Sequence, residues 1–181
     1  MKKKNKKILI ISGKQYSGKD TVASILLEML PDFKLAPLAN ALKEEFSEEK
    51  NLSVAEVERN KPLYRAELIE LGNKRRAEDP DYWIKKVLDS EGNIIISDAR
   101  LKHEIDIFEK YGAIKIRVES DRTQRAKRGK LVKEDDTTET DLDNYKKWDY
   151  VIENSGTLAA LRKKTEKIGK EILKSLSLQK V

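Results

Sequence analysis

One stretch near the start of the chain limits its possible folds more than any other. Residues 8–22 read Ile-Leu-Ile-Ile-Ser-Gly-Lys-Gln-Tyr-Ser-Gly-Lys-Asp-Thr-Val. The leading apolar run predicts a buried strand, and apolar residues then recur at helical spacing, at Val22, Ile25, Leu26, Met29 and Leu30. A strand, the pattern G-x-x-x-x-G-K and a helix, in this order, are typical of a phosphate-binding loop.

The chemistry of this stretch suits an anion. Two glycines let the backbone curl so that amide N–H groups point inward, and the helix N-terminus adds a partial positive charge. Lys19 can then reach the outer phosphates, which makes it a predicted catalytic residue. We predict that the nucleotide is bound by Gly13, Lys14, Gln15, Tyr16, Ser17, Gly18, Lys19, Asp20 and Thr21.

Two carboxylates are candidate ligands for Mg²⁺. The Ser or Thr that usually follows the loop lysine is replaced by Asp20. Asp20 could hold Mg²⁺ directly or through water, or it could cap the helix, and the sequence leaves these alternatives open. Asp98 ends an apolar run of isoleucines that predicts a central strand, and a carboxylate there can orient Mg²⁺ or its water shell.

Composition narrows the class of protein further. A chain of 181 residues predicts one domain, 8–181, preceded by a basic disordered tail, 1–7. The lack of cysteine excludes disulfides and thiolate chemistry and agrees with a cytoplasmic location, and no apolar run is long enough for a membrane span. The net charge of +6 comes from the two ends of the chain. This location of the charge favours a solvated surface over a nucleic-acid interface. We also expect no membrane partner and a monomeric state.

The rest of the chain alternates predicted strands with predicted helices. Further strands are expected at 32–36, 92–98, 113–118 and 149–153, and helices at 38–49, 62–76, 79–88, 101–111 and from 157 onward. A short helical piece is expected after Ser53, which forms a capping box with Glu56. Leu63 and Leu158 are expected in the core, and Asp79 is expected to cap a helix. This order predicts an α/β fold of three layers, with a central parallel sheet and helices on both faces.

Arginines suggest a transferase. Arg122, Arg125 and Arg128 recur at every third position, followed by Gly129 and an acidic stretch, 133–141, which predicts a mobile loop. This arrangement resembles the lid of a small-molecule kinase, here about 119–145, whose arginines stabilise the transferring phosphoryl group. The alternative is an exposed, highly charged helix.

Other basic residues are candidates for holding a phosphorylated acceptor. Arg100 follows the predicted strand end at Asp98, at the edge of the sheet where ligands bind in such folds. Arg65 and Arg76 lie on the long middle helix, and the guanidinium fork suits a phosphate group. Lys43 is a further candidate, and surface positions are the alternative for each of them.

At the level of motifs, the chain resembles the animal-type phosphomevalonate kinases of the nucleoside-monophosphate-kinase-like P-loop fold. The matching stretches run in the same order over nearly the whole chain: Ser12-Gly-Lys-x-x-Ser-Gly-Lys-Asp20, Leu42-Lys-Glu44, Gly72-x-x-Arg-Arg with Asp79-Pro80, Ser97-Asp-x-Arg100, Tyr111-Gly-Ala113, Arg128-Gly129, Leu142-Asp-Asn144 and Asp149-x-Val-Ile-Glu-Asn154.

The resemblance implies a Mg²⁺-dependent transfer of the γ-phosphate of ATP to 5-phosphomevalonate, a step of isoprenoid biosynthesis. It implies that Lys14 to Asp20 bind ATP and that Asn154 and Ser155 lie near the adenine. It also implies that Arg128 comes from the lid as a catalytic residue, together with Arg100 and Asp98. The acceptor would face Lys43, Arg65, Arg76 and Arg100.

Departures from the sequence pattern of this family leave a second function possible. Gln15 and Tyr16 stand where the animal enzymes carry basic residues, and Leu101 stands where they carry a second arginine. Viral deoxynucleoside monophosphate kinases share the Ser-Gly-Lys-Asp-Thr loop and a segment similar to Asp98-Ala-Arg-Leu-Lys-His-Glu104. A deoxynucleoside monophosphate kinase is therefore the alternative function, and a nucleotide-binding protein without transferase activity is a second alternative.

Overall fold

The computed structural model describes residues 6–178; residues 1–5 of the predicted basic tail and residues 179–181 lie outside this range. Residues 6–178 form two compact units, which we call the sheet unit (6–35 and 92–178) and the helical unit (36–91). The main chain of Lys7 donates to Asn93 Oδ1 at 3.0 Å. Lys7, which was predicted to lie in the tail, therefore already contacts another segment of the sheet unit.

A five-stranded parallel sheet forms the centre of the sheet unit. Its strands are β1 (Ile8–Ser12), β2 (Phe33–Leu35), β3 (Asn93–Ile96), β4 (Ile114–Glu119) and β5 (Tyr150–Glu153). They lie in the order β2-β3-β1-β4-β5, and all neighbours are parallel. The central β1 is buried along its whole length, as its unbroken apolar run requires.

Nine helices are found in residues 6–178. They are α1 (Lys19–Met29), α2 (Leu38–Lys50), α3 (Val54–Arg59), α4 (Lys61–Glu78), α5 (Tyr82–Asp89), α6 (Lys102–Lys110), α7 (Arg122–Arg128), α8 (Thr137–Thr140) and α9 (Leu158–Leu178). Helices α2 to α5 make up the helical unit. None of the helices in the described range combines the length and the apolar character that crossing a membrane needs.

The core occupies both faces of the sheet because side chains alternate along each strand. Leu9 and Ile11 of β1 belong to a buried apolar cluster with α1 and α9, whereas Ile8 and Ile10 point to the opposite face and are equally buried. The predicted α/β fold with helices flanking a parallel sheet is confirmed. The expectation for Leu158 is wrong: it is 67% exposed, because the buried face of α9 begins at Leu161.

The helical unit contains two further corrections. Leu63 is 74% exposed, so it lies outside the core that Leu68 and Leu71 enter from the same helix. Asp79 does not cap α5, whose N-cap is Asp81. It follows α4, and its carboxylate accepts a hydrogen bond from the Asp81 N–H at 3.0 Å.

Glu45 on α2 joins the helices of this unit. Its carboxylate accepts hydrogen bonds from Arg75 Nε on α4 at 2.6 Å, and from Tyr82 Oη at 2.7 Å and Lys86 Nζ at 2.6 Å on α5. The side chain is only 8% exposed. Burial alone would raise the pKa of Glu45, but the hydrogen bonds from Lys86, Tyr82 and Arg75 outweigh it and lower the pKa below its ordinary value.

We expect Glu45→Gln to lower the free energy of unfolding at neutral pH by roughly 2 kcal/mol, because two cations lose their shared carboxylate. The folded-state pKa lies below the unfolded value of about 4.3, so ionised Glu45 stabilises the fold above that value. Its contribution is lost as the pH falls through the folded-state pKa. Urea denaturation across the acidic and neutral range should therefore show the gap to wild type closing below about pH 4.

The neighbouring Glu44 is exposed and offers a matched control. Glu44→Gln should change the free energy of unfolding by less than about 0.5 kcal/mol. A gap between wild type and Glu45→Gln that stayed constant down to about pH 3 would contradict the proposed role of the charged carboxylate.

Candidate active site

The loop between β1 and α1 forms the first part of the site. Gly18, the N-cap of α1, has a φ of 99°, and a Cβ at Gly13 would lie 2.6 Å from the carbonyl oxygen of Val118. The loop is closed by the N–H of Ser17, which donates to the Lys14 carbonyl at 3.1 Å. No described side chain caps α1, and its first-turn amides are donors for an anion.

Asn154, which follows β5, holds this loop in place. Its side-chain amide donates to the Ser17 carbonyl at 2.8 Å, and its main-chain N–H donates to the Glu119 carbonyl at 2.7 Å. Asn154 is buried, and its side-chain nitrogen occupies the space that a Cβ at Gly18 would need. The resemblance placed Asn154 and Ser155 near the adenine, and this placement stays a prediction. The contact of the Asn154 side chain with the phosphate loop is one that no local motif indicates.

A cavity of about 390 Å³ opens at the loop. It is lined by Gln15, Tyr16, Gly18, Lys19, Asp20, Thr21, Arg100 and Arg128. The Lys19 side chain is 11% exposed, and its Nζ lies 3.7 Å from Asp20 Oδ2. Its lining carries three cations and one carboxylate, a composition that favours an anionic ligand.

The two predicted Mg²⁺ ligands differ in their surroundings. The Asp20 side chain is 81% exposed in the first turn of α1, beyond the N-cap, so the capping alternative is wrong. Asp98 directly follows Ser97 after β3 and is half-buried. Residues 6–178 contain no cluster of three or more His, Asp or Glu side chains that could hold a metal. Mg²⁺ commonly binds through one or two carboxylates plus substrate phosphates, and the exposed Asp20 carboxylate fits that mode.

Arg128, at the end of α7, connects three segments of the sheet unit. Its Nη1 donates to the Tyr16 carbonyl and to Ser120 Oγ, both at 3.1 Å, and its Nη2 donates to the Asn154 carbonyl at 2.9 Å. The predicted lid arginine therefore contacts the phosphate loop through one main-chain oxygen atom, that of Tyr16.

Arg100 is fixed at its main chain and at its side chain. Its N–H donates to the Glu104 carboxylate at 2.7 Å, and its guanidinium forms an ion pair with Glu139. Glu139 lies on α8, is 3% exposed and also accepts a hydrogen bond from the Gln15 N–H at 2.9 Å. The prediction of a mobile acidic loop is thus wrong for this part of 133–141, which contains a helix capped by Asp136.

A second cavity, of about 500 Å³, lies at the carboxyl ends of β4 and β5 and includes Ser155. Arg117 lines it, donates to Ser12 Oγ at 3.4 Å and stacks over the Trp148 ring. Burial lowers the pKa of Arg117, against the opposing effect of Glu119 and Asp143. Sequence reasoning missed Arg117, because β4 alternates apolar and charged residues and nothing in the sequence separates Arg117 from Lys115 and Glu119.

The helical unit has a groove of about 430 Å³ between α2 and α4. Leu42, Leu68 and Ile69 give it an aliphatic surface, and its cations are Lys43, Lys61, Arg65 and Arg76. Lys43 pairs with Glu58 at 2.5 Å, whereas Arg65 and Arg76 have no carboxylate partner among the described residues. Three of the four predicted acceptor ligands thus share this groove, and Arg100 belongs to the sheet unit.

Solved structures with the same fold are known. A shikimate kinase from Acinetobacter baumannii in complex with shikimate aligns with a TM-score of 0.55 at 16% identity, covering 94% of this chain and 94% of that one. A gluconokinase from Sinorhizobium meliloti aligns with a TM-score of 0.55 at 14% identity, covering 97% of each. The sheet, the phosphate loop and these similarities define a P-loop kinase fold.

Family comparison then specifies the class. The family model of phosphomevalonate kinase matches residues 11–113, more than half of the chain, and that of deoxynucleotide monophosphate kinase matches residues 77–165. Both describe kinases, so the molecule is a P-loop kinase of small molecules or nucleotides. The chain belongs to the phosphomevalonate kinase family.

Proposed function

We propose that this protein transfers the γ-phosphate of ATP to 5-phosphomevalonate. A phosphate oxygen of the acceptor attacks Pγ, the bond from Pγ to the β–γ bridging oxygen breaks, and ADP leaves. Lys19 and the first-turn amides of α1 bind the ATP phosphates in the cavity at the loop. Bound Mg²⁺, held by Asp20 or Asp98, would neutralise charge on the phosphates.

The groove of the helical unit is the observation that carries the choice of acceptor. Phosphomevalonate is a short aliphatic chain with an anionic group at each end. The groove combines aliphatic side chains with two arginines that lack carboxylate partners among the described residues. Guanidinium groups suit phosphate and carboxylate, so Arg65 and Arg76 are proposed to bind the acceptor, with Lys43 nearby on α2.

The same groove argues against a nucleobase. No aromatic side chain is among its described lining residues. Tyr64 lies on α4 but packs against Phe46, with ring centroids 5.5 Å apart. Stacking on aromatic rings is a common way for proteins to hold bases, and the groove offers none.

Deoxynucleoside monophosphate phosphorylation is the second candidate. It is favoured by the family match over residues 77–165, which includes Arg100 and the predicted lid. A monomeric state and a cytoplasmic location stay predictions, as does the alternative of nucleotide binding without transfer.

An assay of ADP release tests the choice. The panel contains 5-phosphomevalonate, the deoxynucleoside monophosphates and dephospho-coenzyme A. We expect kcat/KM for 5-phosphomevalonate to exceed that of every other acceptor by at least about tenfold, because an unfilled or mispaired pocket costs transition-state binding. Lys19→Ala protein, prepared in parallel, controls for contaminating kinases.

Each outcome of the panel has a clear meaning. Preferential turnover of a deoxynucleotide would overturn the proposal and support the second candidate. ATP binding without ADP release for any acceptor would support the non-catalytic alternative.

A further inference from the structure

Gln15 and Tyr16 are phosphate-loop residues whose side chains anion binding does not explain. Both reach the segment that follows α7. Gln15 Nε2 donates to the Val132 carbonyl at 2.7 Å, and the Val132 N–H donates to Gln15 Oε1 at 3.2 Å. One side chain thus satisfies both main-chain polar groups of a residue 117 positions away in the sequence.

Tyr16 makes the second contact, with Gly129. A Cβ at Gly129 would overlap the Tyr16 ring, at 2.8 Å from Cδ1 and closer still to Cε1 and Cζ. Gly129 has a φ of 178°, an extended conformation that any residue can adopt. The glycine is therefore required by the close approach of the ring and not by its own backbone.

Two arginines lie next to these contacts. Arg125 Nη1 donates to the Gln15 carbonyl at 3.4 Å, and Arg128 Nη1 donates to the Tyr16 carbonyl at 3.1 Å. Each loop residue therefore receives an arginine from α7 at its carbonyl and contacts the following segment with its side chain. The contacts of that segment and the hydrogen bonds of the two arginines thus involve the same two residues.

We propose that Gln15 and Tyr16 form a lid clasp, defined as the contacts of Gln15 with Val132 and of Tyr16 with Gly129. The clasp holds residues 129–132 on the phosphate loop and thereby positions Arg125 and Arg128 for phosphoryl transfer. Gln15 and Tyr16 are positioning residues, since they act through the arginines. This inference rests on the kinase reaction of the proposed function but not on the identity of the acceptor.

A double-mutant cycle tests the clasp with Gly129→Ala, Tyr16→Ala and the double variant. One readout is the rate of limited trypsin cleavage after the exposed Lys130 and Lys133, which needs no acceptor. The other is kcat, measured beside KM for ATP. In the wild-type background, Gly129→Ala should raise the cleavage rate and lower kcat, each by about tenfold. In the Tyr16→Ala background, where the ring is absent, the same substitution should change each quantity by less than about threefold.

The cycle can fail in identifiable ways. Equal effects of Gly129→Ala in both backgrounds, or no effect in either, would overturn the clasp. If Gly129→Ala does not fold, Gln15→Leu replaces it, since it removes both hydrogen bonds to Val132, and unchanged cleavage would again overturn the proposal. Gly156→Ala is the matched control, because its Cβ would meet only Ala160 Cβ at 3.6 Å. A wrong acceptor would leave all cleavage rates unaffected.

Discussion

Lys19→Ala should reduce ATP-dependent phosphoryl transfer by at least about a hundredfold while the protein stays folded. Lys19 combines three properties: it begins α1, its side chain is 11% exposed, and it lines the cavity at the phosphate loop. We expect an ammonium group held there to stabilise charge on the outer phosphates as transfer proceeds. The measurement is single-turnover ADP formation with saturating ATP and acceptor.

A matched lysine separates local from general effects. Lys163 on α9 is exposed, so Lys163→Ala should leave the transfer rate within about twofold of wild type. Thermal unfolding of Lys19→Ala should resemble wild type, because no described carboxylate approaches Lys19 more closely than Asp20 at 3.7 Å. Near-normal turnover of Lys19→Ala would remove the loop lysine from the mechanism.

Local patterns predicted the sheet and the loop well because their causes are local. The run Ile8–Ile11 indicates a buried strand because it is short, rich in isoleucine and closely followed by glycine. Two glycines, a lysine and then helical spacing of apolar residues are typical of a phosphate-binding loop. The capping box of Ser53 and Glu56 is likewise a contact between residues three apart, and the structure confirms it. The residues that determine each of these elements lie within one turn or one strand of each other.

Predictions failed where distant contacts decide the outcome. The composition of 133–141 predicted a mobile acidic loop. Glu139 in this stretch is instead buried by contacts with Arg100 and with the main chain of Gln15, 124 residues away. Leu63 and Leu158 lie at helical spacing from buried leucines, yet both are exposed. The packing of neighbouring helices decides which face of a helix is buried, and the spacing of apolar residues alone does not contain this information.

The candidate site shows the same division. The sequence pointed to Arg100 and Arg128 as cations but not to their partners. These come from the phosphate loop, α6, α8 and the turns after β4 and β5. Asn154 illustrates the difficulty, since its role in holding Ser17 becomes visible only when β5 is placed beside β4. Partner choice in this site follows from the sheet order β2-β3-β1-β4-β5.

Arg128→Ala should lower kcat by about a hundredfold while the acceptor KM changes by less than about threefold. In the structure, Arg128 donates to the carbonyls of Tyr16 and Asn154 and to Ser120 Oγ, and it lines the same cavity as Lys19. Removing it takes a cation from this cavity and breaks the hydrogen bond that joins the end of α7 to the phosphate loop. Both changes affect the closed, reacting state more than initial binding of the acceptor.

Two further variants make the Arg128 prediction specific. Arg128→Lys keeps the charge, but an ammonium on a flexible stem cannot reproduce the guanidinium contacts with three separate oxygens, so it should recover only part of kcat. Arg122 lies on the same helix, and its side chain is 72% exposed and paired with Glu134 at 2.8 Å, so Arg122→Ala should retain nearly full activity. A raised acceptor KM with unchanged kcat in Arg128→Ala would instead assign Arg128 to the acceptor site, because uniform binding loss leaves kcat intact.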